Sequence, residues 1–178
     1  MVHRVHGGGS RVRWLGFLLV PFAGCVLPPS LDVDTSDGGM NSPPAITAVR
    51  SDDQELPDPG PVNFETGINA GTMSISLVDT DVTDTLYVSL FVDYFSDGPT
   101  PPRATCTAAP TGTSQRTATC DLTALCTEAD VQHPERFFTV QVFDRPLADS
   151  GAPRFKLMKG EGGMTTSRSY LLNCQDPS

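Results

Sequence analysis

Between Gly71 and Phe95 the chain reads GTMSISLVDTDVTDTLYVSLFVDYF, two alternating runs split by an acidic turn. Met73, Ile75 and Leu77 fall on one face of an extended chain. Leu86, Val88, Leu90, Val92 and Tyr94 do the same across the turn, because strand side chains alternate with period two. The other face of the second run carries Tyr87, Phe91 and Phe95, which predicts a strand inside a sheet, partly covered on both sides. The cover expected over these aromatics is a second layer or the 96–116 excursion, since large exposed apolar patches are uncommon on monomers. Two strands cannot bury this much surface alone, so the remaining strands must supply a facing layer.

The rest of the body fits that demand. Ala45–Val49 is a short β-prone run after Pro43-Pro44, as expected of an edge strand, and Val62–Glu65 is a second brief one. Residues 51–61 and 96–103 are loops by their Pro, Gly and Asp content. Ala104–Ala108 and Arg116–Leu122 read as a hairpin around Pro110 and Gly112, with Cys106 directly opposite Cys120. Asp121–Glu128 is expected to make one helical turn capped by Asp121. Phe137–Asp144 is a strong strand with Phe138, Val140 and Val142 inward, residues 148–163 are a long loop, and Arg168–Cys174 closes the domain. The pattern predicts an all-β fold, an antiparallel two-sheet sandwich of about seven strands with one short helical turn. No amphipathic helix of useful length competes with it.

Composition changes the picture mainly at the start of the chain. The 178 residues suit one domain plus appendages, and 16 Gly with 16 Pro are too many for a helical bundle. The net charge of −9 is unevenly placed, because Arg4, Arg11 and Arg13 stand in the first 24 residues without an acid. Beyond them, 9 Lys and Arg face 21 Asp and Glu, a net of −12, which disfavours nucleic acid and anionic lipid as direct partners. Trp14–Gly24 is an 11-residue apolar run, about 16 Å as a helix against a hydrocarbon core of about 30 Å, so a secretory signal fits better than a spanning helix.

Ala23-Gly24-Cys25 at the end of that run resembles the lipobox of bacterial lipoproteins, with Phe22 where that family usually carries Leu. The resemblance implies cleavage after residue 24 and acylation of Cys25, which then anchors the protein to a lipid bilayer. Val26 in place of an inner-membrane-retaining Asp implies the outer membrane. An ordinary cleaved signal with an incidental cysteine is the alternative. Residues 26–44 mix Pro, Asp, Ser and Gly and read as a linker, so the expected organisation is signal 1–24, lipidated start and linker 25–44, and domain 45–175. The segment LVDTDVTDTLYVSLFVDY is similar to the D-x-D-x-x-D-x-L pattern of bacterial Ig-like, cadherin-like and PKD-like surface domains, which implies an Ig-like sandwich.

Candidate chemistry is sparse. Cys106, Cys120, Cys126 and Cys174 form an even set that reads as two disulfides with three possible connectivities. Hairpin register favours Cys106–Cys120, leaving Cys126–Cys174; the spacings do not resemble zinc knuckles. Asp79, Asp81 and Asp84 crowd one turn, with Asp93 and Asp144 near strand ends that could converge on it. Such oxygen ligands suit calcium, while plain turns use the same residues through hydrogen bonds to backbone. His133, once the signal is removed, is the only histidine and reads as an exposed loop residue. No nucleophile elbow or H-E-x-x-H helix occurs, and Gly160–Gly163 lacks the Lys and helix of a phosphate loop. No cofactor is implied. These readings lead to a non-catalytic binding or structural module of the cell envelope. An accessory subunit docking through a sheet edge or the acidic loop is the second reading, and a small exported carboxylate hydrolase the third.

Overall fold

The computed structural model describes residues 41–67, 70–98, 100–133, 136–148 and 154–177. The expected signal, Cys25 and most of the linker lie outside them.

Alternation builds the core as anticipated. Met73, Ile75 and Leu77 are buried on Thr72–Val78, and Leu86, Val88, Leu90 and Val92 on Leu86–Val92. Phe138, Val140 and Val142 are buried on Arg136–Phe143. In chain order the strands are β1 (Ala45–Ser51), β2 (Gln54–Glu55), β3 (Val62–Glu65), β4 (Thr72–Val78), β5 (Leu86–Val92), β6 (Ala104–Ala108), β7 (Gln115–Asp121), β8 (Arg136–Phe143) and β9 (Thr165–Gln175). One short helix, α1 (Glu128–Val131), precedes β8. The strands form two sheets, ordered β2-β1-β4-β7 and β3-β9-β8-β5-β6. Side chains from both meet in one core, where the Phe138 ring lies 5.9 Å from Tyr170 and 6.2 Å from Phe64.

Four expectations are corrected. Neighbouring strands are antiparallel except β3 and β9, which run parallel from Val62 opposite Leu172 to Glu65 opposite Gln175. The 104–108 and 116–122 segments are not a hairpin: β6 pairs with β5 in one sheet and β7 with β4 in the other. The chain therefore crosses between layers at residues 109–114. The helical turn falls at α1 with Thr127 as its cap, because Thr127 and Asp130 satisfy each other as a capping box. Asp121 instead holds the preceding turn by accepting from the Thr123 N–H at 2.7 Å.

The fourth correction concerns the aromatic face of β5. Phe91 is fully buried, and the ring packed on it is Phe155 of the later loop rather than a residue of the 96–116 excursion. The β8–β9 connection folds back over the outer face of the second sheet. A 3-10 turn at Arg154–Lys156 places Phe155 with its ring centre 5.9 Å from that of Phe91. Ala148 N–H to Leu157 O and Lys159 N–H to Pro146 O, 2.8 Å each, tie this flap into a small antiparallel loop. Lys156 donates to the Tyr94 carbonyl at 2.6 Å and stands over the Tyr94 ring. Phe95 is left outside, 71% exposed.

Candidate functional site

The acidic turn after β4 is organised by a cation that the sequence pattern places beneath it. Arg116 occupies the same face of β7 as Ala118 and Cys120, so its side chain enters the core side of the sheet. Its guanidinium meets Asp79 at 2.8 Å, and both side chains are without exposure. The same group donates to the carbonyls of Asp81 (3.0 Å) and Asp84. A buried cation of this kind needs a carboxylate and aligned carbonyls, and the turn supplies both. The Asp81 carboxylate accepts from the Ser42 N–H, before β1, at 3.0 Å. At the same end Asp144 accepts from the Met164 N–H at 2.9 Å and from the Asn41 amide, which also donates to Gly162 O at 2.7 Å. The described chain thus begins pinned at this end.

Asp93 is elsewhere. It follows β5 at the opposite end of the sandwich, where its carboxylate pairs with Arg136. The calcium candidates are consequently split. Asp79, Asp81 and Asp84 enclose a guanidinium, and Asp93 belongs to another network. Among the described residues no group of three or more His, Cys, Asp or Glu is placed to hold a metal ion.

The Asp93 network is the densest charge arrangement in the domain. Asp130, 2% exposed, lies 3.0 Å from Arg103 and 3.2 Å from Arg136, and accepts from the Thr127 hydroxyl at 2.6 Å and the Thr127 N–H at 2.8 Å. Burial works to raise the Asp130 pKa, but the bonds from Thr127 and Arg103 outweigh it and hold the carboxyl below its ordinary value. Asp121 is lowered by its bonds from Thr123. Burial raises Tyr94 and Tyr170 above the ordinary tyrosine value. Beside the network, Phe95 and Phe137 flank a cleft of about 420 Å³ with Asp93 and Ser96. Nothing in the sequence pattern marked Arg103, Asp130 or Arg136; Arg103 lies 27 residues from Asp130, and Arg136 lies 43 from Asp93 though only six from Asp130.

All four cysteines of the body are bridged, Cys106 to Cys120 and Cys126 to Cys174. The first bond joins β6 to β7 and so links the two sheets at one side. The second ties the segment before α1 to the end of β9. His133 is exposed, and a cleft of about 740 Å³ is bordered by Thr66, Glu128 and Asp176.

Fold and site define an all-β protein of two sheets stapled by two disulfides, a chemistry that belongs to an oxidising, exported environment. Comparison with known protein families and with curated proteins finds no match. Among the described residues, no helix is long and apolar enough to cross a membrane.

Proposed function

We propose that the protein is a bacterial lipoprotein, held on the outer membrane by acylated Cys25, that presents an Ig-like domain as a non-catalytic binding or structural module of the envelope. The observation that carries this reading is the Ala23-Gly24-Cys25 junction at the end of a short apolar run. Acyl chains contribute about 0.8 kcal/mol per buried methylene, so two or more hold a protein on a bilayer without a spanning helix. Fifteen residues separate Cys25 from Asn41, a reach of at most about 50 Å.

Sheet order supports the Ig-like assignment. Letters A, B and E fit β1, β4 and β7, and C, F and G fit β5, β8 and β9 in the other sheet. The B–F disulfide of antibody domains has no counterpart, since Ile75 and Val140 are the core residues of β4 and β8 there; the bridges lie at the edge and at the end instead. The exposed Phe95 and Phe137 favour the accessory-subunit reading as the second choice.

Detergent phase partitioning of the natural protein and Cys25→Ser tests the anchor. The natural protein is expected in the detergent phase and the variant in the aqueous phase. A natural protein that stays in the aqueous phase would refute the lipid anchor.

A further inference from the structure

At the end of the sandwich remote from Asn41, three large apolar side chains stand on the outer face of the five-stranded sheet. Phe137 on β8 lies opposite Leu171 on β9, and Phe95, in the turn after β5, shares the cleft with Phe137. Their exposures are 55%, 40% and 71%. Farther along the same face the flap closes over Phe91, so the open row is local. A contiguous apolar row of this kind marks an interaction surface, and aromatic side chains bordering a cleft are typical anchors for a partner's side chain.

The surrounding charge says what kind of partner fits. Every Arg or Lys side chain described at this end is already engaged: Arg50 with Glu55, Arg103 with Asp130, Arg136 with Asp93 and Asp130, and Lys156 on Tyr94. By contrast Asp52, Asp53, Asp58, Asp97, Glu128 and Asp176 are exposed and make no ion pair among the described residues. The field at this end is therefore negative around an apolar row. It repels an anionic lipid surface, and it repels a second copy presenting the same end.

We propose that this end of the domain docks a basic polypeptide segment, seating one apolar side chain between Phe95 and Phe137 while its cations face the unpaired carboxylates. The proposal rests on the reading of the domain as a binding module and is independent of the anchor at Cys25. Docking here leaves the other end, where the described chain begins at Asn41, free.

The test titrates the protein as purified from cells with a lysine-rich peptide carrying one central leucine. Two controls replace that leucine by serine, or every lysine by glutamate. The leucine peptide is expected to bind, more weakly as salt is raised, and the serine peptide about tenfold or more weaker. Phe95→Ser and Phe137→Ser are each expected to lower affinity about tenfold with unchanged thermal unfolding, because both side chains are exposed. Leu157→Ser, exposed on the flap, is expected to leave affinity unchanged. Equal binding of the leucine and serine peptides, or binding that survives both phenylalanine substitutions, would overturn the site. Failure of the lysine peptides to bind would overturn the partner class. Self-association abolished by Phe95→Ser would overturn it in favour of a second copy. Detergent partitioning of the same sample reports the anchor separately.

Discussion

Arg116 is a cation without exposed surface, and it is held because the turn after β4 closes around it. Arg116→Met would leave Asp79 buried without its counter-charge, and urea unfolding is expected to show a loss of about 3–5 kcal/mol. Asp79→Leu combined with Arg116→Met is expected to recover much of that loss; simple additivity of the single costs would contradict the pairing. Asp130 gives a pH signature. Its folded pKa lies below the ordinary 3.8, so the stabilisation is present above that value and is lost as pH falls through the folded pKa. The gap in unfolding midpoint between the natural protein and Asp130→Asn should be widest well above the ordinary carboxyl value and close as pH falls below the folded pKa. A gap independent of pH would assign the loss to packing alone. Gly60 is a third sensitive position. At φ +119° its missing Cβ would stand 2.9 Å from the Leu171 carbonyl oxygen, so Gly60→Ala should cost about 1–3 kcal/mol in the same assay.

At the scale of elements, the strands were legible and their neighbours were not. Met73, Ile75 and Leu77 announce a strand by alternation alone, and Phe138, Val140 and Val142 do likewise. Cys106 and Cys120 read as partners in one hairpin because they stand opposite each other in that register. Yet inward-facing cysteines on two opposed sheets meet equally well, and that is the arrangement found. The alternation of Arg116 with Ala118 and Cys120 was the one signal that could have revealed the buried arginine. The flap was illegible for another reason. Phe155 reaches Phe91 across 64 positions of sequence from within a polar, Gly-rich loop that has no period to read. Phe155→Ser should speed amide exchange at Ala148 and Lys159, whose N–H groups close the flap, while leaving β4 protected. Unchanged exchange at both would show that Phe155 does not hold the flap down. The bridges also differ in expected worth. Loop entropy gives about 3 kcal/mol for Cys106–Cys120 and about 4 kcal/mol for Cys126–Cys174, so the paired serine substitution at Cys126 and Cys174 should lower the denaturant midpoint further.

For the whole molecule, the proposed reading gives the two ends of the sandwich different tasks. At one end the first described residues are held, Asn41 on Asp144 and Ser42 on Asp81. The other presents Phe95 and Phe137, with exposed Asp52, Asp53, Asp58 and Asp97 at the same end making no ion pair among the described residues. Attachment at the first end and recognition at the second is the division that a tethered binding module requires, and a fold alone does not impose it. The attachment claim lives entirely in the sequence before Asn41, at Cys25. Intact-mass analysis of the protein extracted from cells, before and after reduction, tests it most directly. The account predicts a chain that begins at Cys25, carries the added mass of acyl groups there, and gains the mass of two hydrogens for each of two bridges on reduction. A chain that begins at Met1, or one with a bare thiol at Cys25, would contradict it.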